Sequence, residues 1–547
     1  MLSRFRRVAS AVGALVLLAI PPDTAPASGA AVESPNLLLN PGAEFGDPSL
    51  SGYSSVTIPG WAVTGTPTVI KYGTPRRPSW PLGSPPPTLP APFAFPRSQN
   101  GPPDGGVQFF GGGNVASATL TQIVDLSSPQ AAAQIDSGTV PYRLSGWLGG
   151  FNTDPSEASV TVNFLAADHQ SPLGTGKIGP VTLLDRRLRT VLLERQTIAT
   201  IPAGTRSAQV VVTLKDRNTE IGNYNNAYAD NISFTVGLPL PAPPPPTPPQ
   251  SIIGRLRHVF MIYLENHGVK DIVGSPNAPY INGLIDNYGY GSNYYAQTHP
   301  SLPNYYPILG GSDFGVNYNC QLDCFDKHNL ADNIEGAGMG WAAYEQSMPS
   351  PCFTQSSGPY TPGELPFLAF HDIVSNTARC QAHVLPLQRM ATDLASISTT
   401  PNYVWWAADE DHNMEGPINL EFIISLLTNH QYNIKAGDQF LSETLPTILN
   451  SPAFQTEPSA VFITWDEDYN NISLGIGNEG NHVPMIVIPS PNSGMRQGHI
   501  VAVNYNNHYS LLRTIEDALG LSRLTNNDKF AQPMNEYWPC PSPCPPA

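Results

Sequence analysis

The stretch from Gly237 to Pro249 (Gly-Leu-Pro-Leu-Pro-Ala-Pro-Pro-Pro-Pro-Thr-Pro-Pro) most constrains what this chain can become. Proline fixes φ and has no amide hydrogen, so such a run neither continues a helix nor takes a central place in a sheet. It reads as a semi-rigid polyproline spacer that neither neighbour absorbs, and the linker is expected over 238–252. The chain is therefore read as two folded units on either side of it. Its 547 residues are too many for one ordinary domain.

The two sides are written differently. From Ser34 to Val236 short alternating runs are separated by Gly, Pro, Asn and Ser, as in Ser117-Ala-Thr-Leu-Thr-Gln-Ile-Val and Ser207-Ala-Gln-Val-Val-Val-Thr-Leu. Period two at this spacing predicts an all-β sandwich over 34–237. After the linker the runs become continuously apolar: Val259 to Leu264, Tyr403 to Ala408, Val461 to Trp465 and Val483 to Ile488. Such runs suit strands buried on both faces of a largely parallel sheet. Helical patterns alternate with them at Ile418 to Leu427, Phe440 to Leu449 and Tyr509 to Leu519. The expectation for 253–535 is an α/β domain, followed by a Cys- and Pro-rich tail over 536–547.

The first residues read as an export signal over 1–31. Arg4, Arg6 and Arg7 precede an apolar run from Val8 to Ile20, and small residues follow around Ala25 to Ala30. That run is short for a membrane span, so a secreted protein without a transmembrane anchor is expected. Six cysteines, at 320, 324, 352, 380, 540 and 544, then read as disulfides, with Cys540 and Cys544 closing a small loop. A formal net charge of −16 argues against nucleic acid as a partner.

Chemistry enters at His299-Pro-Ser-Leu-Pro-Asn-Tyr305. Ser301 stands before Pro303, which favours entry into a helix, and a helix N-terminus there would aim free N–H groups at an anion beside the hydroxyl. Asn304 would donate to the same anion. Three of the apolar strands end on acids: Glu265-Asn266, Asp409-Glu-Asp-His412 and Asp466-Glu467-Asp468. Ligands in open α/β sheets sit outside the carboxyl ends of strands. Carboxylates gathered there repel one another unless a cation lies between them, so divalent metal ions are expected: zinc, manganese or calcium. His412, His482 and His508 are available as nitrogen donors. A metal beside Ser301 would make its hydroxyl a nucleophile and clamp a phosphoryl group, which favours phosphoryl over acyl transfer. No Gly-x-Ser-x-Gly elbow surrounds Ser301.

Two resemblances sharpen these expectations. Asn36 to Glu44, Pro59-Gly-Trp61 and Tyr228 to Phe234 resemble jelly-roll modules appended to secreted enzymes. Many of those bind carbohydrate and hold a structural calcium ion, which implies Glu44 and Asp230 as calcium ligands and a glycan as a partner of the first unit. Trp61 and Trp147 are read as core. Glu265-Asn266-His267, the Ser301 segment, Thr464 to Asp468 and Asn507 to Asp517 together resemble the bacterial phosphoesterase family, over about Arg257 to Leu521. That family includes secreted acid phosphatases and phospholipases C and is related in fold to alkaline phosphatase. The resemblance implies that Ser301 forms a phosphoseryl intermediate steadied by Asn304. It implies metal binding by Asp409, His412, Asp466, Glu467 and His508, metal binding or phosphate positioning by Glu265 and Asn266, and His482 as a further ligand or phosphate contact; the choice between Asp409 and Asp411 stays open. His267 and His299 are read as packing or rim histidines.

The expected function is a secreted, metal-dependent phosphoric-ester hydrolase working through Ser301, acid-phosphatase-like, on a small phosphate ester or a phospholipid headgroup. The alternatives are a phospholipase C-type phosphodiesterase, for which Trp341, Trp405 and Trp406 are the candidate apolar rim, and a glycan-binding protein with a weakly active second domain.

Overall fold

The computed structural model describes residues 33–77, 84–89, 94–218, 224–468 and 480–540. The export segment and Cys544 lie outside them.

The alternating runs form two five-stranded antiparallel sheets. One runs in space Ala62–Thr64, Ser117–Asp125, Ser207–Lys215, Glu157–Leu165, Pro172–Val181; the other runs Thr68–Lys71, Gln108–Gly113, Asn225–Val236, Pro141–Gly150, Val191–Thr200. Alternation places Ala118, Leu120 and Val124 inward along the second of these strands while their neighbours stay outside. Leu120, Val160, Val210 and Val212 from one sheet meet Leu144, Leu148 and Phe234 from the other in a single core. Each such side chain, fully buried, contributes about 1.5–3 kcal/mol. Trp61 is buried and Trp147 half-buried.

The proline-rich stretch differs from a free spacer. Leu238 is buried in the first core and Leu240 packs against it, while Pro249 O accepts a hydrogen bond from Arg513 Nη2 (3.3 Å). The prolines make no ladder, but two leucines between them provide an apolar footing.

Beyond it lies an eight-stranded sheet, in spatial order Val384–Pro386, Trp341–Glu345, Tyr403–Ala407, His258–Leu264, Ser459–Trp465, Met485–Pro489, Gly289–Gly291, Ile500–Ala502. The first five run parallel, and Met485–Pro489 is antiparallel to both its neighbours. His258–Leu264, at the centre, is buried along its whole length, as the unbroken apolar run requires. The helices read from the sequence appear as Leu420–Thr428, Ile434–Leu449 and His508–Leu519. The longer second one begins at Ile434 because Asn433, at φ 58, turns the chain into it six residues before the apolar pattern becomes clear. Trp341, Trp405 and Trp406 are packed in the core, exposed by no more than 2%. They are not an apolar rim: the strands that carry them are covered on both faces. No helix among the described residues is long and apolar enough to cross a membrane.

Cys320–Cys324 closes a short loop, Cys352–Cys380 ties the segment after the Trp341–Glu345 strand to the helix Thr377–His383, and Cys540 is also disulfide-bonded. The second closes a loop of 28 residues. Cross-linking such a loop restricts the unfolded chain, so replacing Cys352 and Cys380 together by Ala should cost about 2–4 kcal/mol. Thermal unfolding of the double variant checks this, and an unchanged Tm contradicts it.

Candidate active site

Parallel register brings the first acids together. Leu264 pairs with Trp465 across adjacent strands, so the next residue on each, Glu265 and Asp466, leave the sheet side by side at its carboxyl edge. Asn266 then turns through φ 55, a left-handed conformation that Asn tolerates. Its N–H is thereby aimed at Asp466 Oδ1 (2.7 Å), and its side chain donates to Glu265 Oε2 (3.2 Å). Asp466 Oδ2 is buried without a hydrogen-bond partner.

Ser301 arrives from the other side, as the cap residue of the helix Leu302–Gly310. It makes no capping bond of its own. Its Oγ instead donates to Glu467 Oε1 (3.2 Å). Glu467 Oε2 is held in a short hydrogen bond by His299 Nδ1, while His299 Nε2 is buried without a hydrogen-bond partner. His299 is therefore part of the cluster rather than a packing or rim histidine. Ser301, Glu265, Asn266, Asp466 and Glu467 thus stand together, all less than a tenth exposed.

Other candidates are occupied elsewhere. Asn304 Oδ1 accepts from Gln297 N and Thr298 N (both 2.9 Å) and its amide donates to Thr298 O (2.9 Å), so it clamps the loop before Ser301 and does not reach toward a transferred group. The helix start is not an anion cradle either. Leu302 N–H is taken by Asn319 Oδ1 (3.2 Å), Pro303 has none, and Asn304 N–H bonds Ser301 O. Asp409 is spent on Ser347 Oγ (2.6 Å) and His412 Nδ1 (2.8 Å), and His412 lies against Phe440. Asp411 donates its N–H to Asp409 Oδ1 (3.2 Å). His482 Nε2 bonds Ser292 O (2.9 Å) and its ring stacks on Tyr295. Both nitrogens of His508 are filled by tyrosine hydroxyls, Tyr263 and Tyr294, each at 2.8 Å. In each case the competing partner comes from a distant or irregular segment that spacing does not reveal.

Acids unmarked in the sequence close in behind the cluster. Burial, then Glu410 and Asp466, push Glu415 well above the usual carboxylate range, Asn413 donates to Glu364 (3.1 Å), and Glu345 is buried with neither carboxyl oxygen hydrogen-bonded. Glu345 ends a buried strand, the one local signal that could have found it; Glu364 ends a one-turn 3-10 helix, Pro362–Glu364, and Glu415 lies in irregular chain.

The electrostatics follow from burial. Desolvation, reinforced by Asp466 and Glu364, pushes Glu265 well above the usual carboxylate range. Asp466 rises to about 7 and Glu467 to about 8, burial again being the main cause and neighbouring acids the next repulsive one. Burial lowers His299 to about 4. Among the described residues no three His, Cys, Asp or Glu side chains are grouped so as to hold a metal ion. What fits a divalent cation is the charge: clustered acids whose repulsive neighbours are each other, and one buried carboxylate oxygen left without a partner.

In the first unit Asp230 bonds Tyr72 OH (2.6 Å) and Asn231 N (2.7 Å), and Glu44 Oε1 accepts from Val107 N and Gln108 N. Burial first, then the nearby Glu44 and Asp104, raise Asp230 to about 8. The two acids that the jelly-roll resemblance implies are neighbours, held by protein donors.

Residues 274–522 match the profile of the Phosphoesterase family. A phosphatidylinositol-3-phosphatase of Mycobacterium tuberculosis is 26% identical over 295 residues, 53% of this chain and 85% of that protein. An acid phosphatase of Aspergillus fumigatus is 23% identical over 282 residues, covering 48% of this chain and 55% of that one. A protein in the alkaline phosphatase superfamily from Vibrio parahaemolyticus overlays with a TM-score of 0.36 at 12% identity, covering 52% of this chain and 71% of that one, a likeness too low to carry weight.

Unfolded carboxyls titrate near 4, whereas Asp466 and Glu467 do so near 7 and 8 in the folded protein. Between those values the folded state binds more protons, so their stabilising contribution is complete below about pH 4 and is lost as pH climbs through 7 to 8. The Tm of metal-free protein should fall by several degrees from about pH 5 to about pH 8.5, and divalent cation added at the higher pH should raise it. A Tm independent of pH over that range contradicts this.

Proposed function

The second half of this chain is a phosphoesterase-family domain, a hydrolase of phosphoric esters, and from that premise we propose that it works through Ser301. The observation that carries the reading is the hydrogen bond from Ser301 Oγ to Glu467, beside Asp466 and backed by His299. In its ionised form Glu467 accepts the serine proton as Oγ attacks phosphorus, and the P–O bond to the alcohol breaks as the leaving oxygen takes up a proton. Water then attacks the phosphoserine; the P–Oγ bond breaks and Ser301 recovers its proton. Burial favours this use of Glu467, because a basic carboxyl is an effective proton acceptor. Asp466, whose Oδ2 has no partner, is the residue with an oxygen free for a divalent cation, which when bound would neutralise phosphoryl oxygens and acidify the serine hydroxyl.

Acid phosphatase activity on phosphomonoesters is the reading favoured by the names of the relatives. Ser301→Ala should lower kcat on para-nitrophenyl phosphate by several orders of magnitude without altering Tm. Full activity in that variant would refute the mechanism.

A lipid-borne phosphate is a second reading, favoured by one observation. Just after Glu415 the chain exposes Ile418 (75%), Leu420 (71%), Ile423 (47%) and Ile424 (52%) around the helix Leu420–Thr428. Apolar side chains beside an acid cluster suit an amphiphilic substrate. Replacing Ile418, Leu420 and Ile424 by Ser should leave turnover of para-nitrophenyl phosphate unchanged and lower turnover of a micellar phosphoinositide by about tenfold. Equal effects on both substrates would eliminate this reading.

A further inference from the structure

The first unit reaches the nucleophile's own helix at both ends. Near the start, Ser55 N–H donates to Gln297 O (2.9 Å), and Gln297 N–H donates in turn to the Asn304 clamp (2.9 Å). Gln297 is four residues from Ser301 and 1% exposed. At the far end the helix closes on Gly311 at φ 70, whose carbonyl accepts from Asn527 Nδ2 (3.1 Å) and Thr525 Oγ1 (2.9 Å). Asn527 is gripped by Thr57, through Thr57 N to Asn527 Oδ1 (3.2 Å) and Thr57 Oγ1 to Asn527 O (2.7 Å). Asn526 is held by both carboxyl oxygens of Asp47 at 3.0 Å. Asp313, three residues past the helix and 3% exposed, accepts from Ser54 Oγ (2.5 Å) and Ser51 Oγ (3.1 Å).

Packing reinforces the polar grip. Phe45 meets Phe530 edge to face at 5.4 Å, and Leu50 lies so close to Gly315 that an added Cβ there would sit 3.1 Å from it. Val115 presses in the same way on Gly480, beside Asn481, whose amide donates to Thr298 O (2.6 Å). The helix Leu302–Gly310 is only nine residues and buried throughout, so a displacement at one end is carried to the other. A separately folding sugar-binding appendage has no need of buried serines on a carboxylate of its neighbour.

We propose that loop 45–57 of the first unit positions the nucleophile, with Ser51, Ser54 and Thr57 acting through Asp313, Asn527 and the helix Leu302–Gly310. The proposal rests on the reading of Ser301 as nucleophile. The 3.2 Å bond from Ser301 to Glu467 leaves little slack: a small rotation of the helix breaks it. Loosening the loop should therefore lower the rate of the chemical step and spare ground-state binding.

The test uses the full-length protein, assayed well below Tm with para-nitrophenyl phosphate. Ser51→Ala/Ser54→Ala and, separately, Thr57→Val should each lower kcat by about ten- to a hundredfold with KM changed less than about twofold. Ser51→Ala/Ser54→Thr, which keeps one hydroxyl on Asp313, should recover most of the loss. Amide exchange should quicken at residues 297–304 and stay unchanged along 259–264. Should the serine double variant fail to fold, Thr57→Val decides, because it strands no buried carboxylate. Wild-type kcat in the folded variants, or loss of kcat without faster exchange at 297–304, overturns the proposal. Wild-type kcat there with an inactive Ser301→Ala would overturn this positioning role alone, whereas an active Ser301→Ala would overturn the nucleophile reading.

Discussion

The parallel pairing of His258–Leu264 with Ser459–Trp465 is the constraint on which the rest depends. Two strands running the same way, in a register that pairs Leu264 with Trp465, must discharge Glu265 and Asp466 at one edge. Neither acid has water to spread its charge. Burial pushes each carboxyl upward, and the charge of Asp466 raises Glu265 further. Everything nearby responds to that surplus of negative potential. Asn266 adopts a left-handed turn to supply an N–H, Asn413 donates to Glu364, and Ser301 donates toward Glu467 instead of capping its helix.

Burying unpaired acids is costly, and effective penalties reach several kcal/mol per ion. Such a cluster persists only inside a framework with stability to spare. The framework here is a sheet whose central strands are apolar on both faces, tied by Cys352–Cys380 at its flank and braced by the first unit across the helix that carries Ser301. Strain of this sort tends to collect at functional sites, where the surrounding structure over-determines it. The same burial that destabilises the cluster raises the basicity of Glu467, the group beside the serine hydroxyl.

Part of this was legible in the chain. Unbroken apolar runs located the central strands, and the acids following them identified the rim, because strand length and direction follow from hydrophobic pattern. Other residues deceived or stayed silent. His508 and Asn304 carry the right chemistry, yet Tyr263, Tyr294, Gln297 and Thr298 use up their polar atoms. His299 read as packing because its partner, Glu467, is 168 residues away. Glu364 and Glu415 follow no periodicity. The export segment lies outside the described residues, so the folded chain adds nothing to that reading.

Local pattern by itself determined the division at the prolines, the two kinds of sheet, the strands that end on acids and the serine poised before a helix. Those properties depend on neighbours in sequence, through backbone geometry and the period of apolar side chains. Only tertiary structure decided which donors remain free, which carboxyls confront one another and that a loop from the first unit grips both ends of the Ser301 helix. Hydrogen-bond capacity is finite and is allotted in three dimensions. A side chain's availability for chemistry is therefore set by partners that the linear order does not reveal.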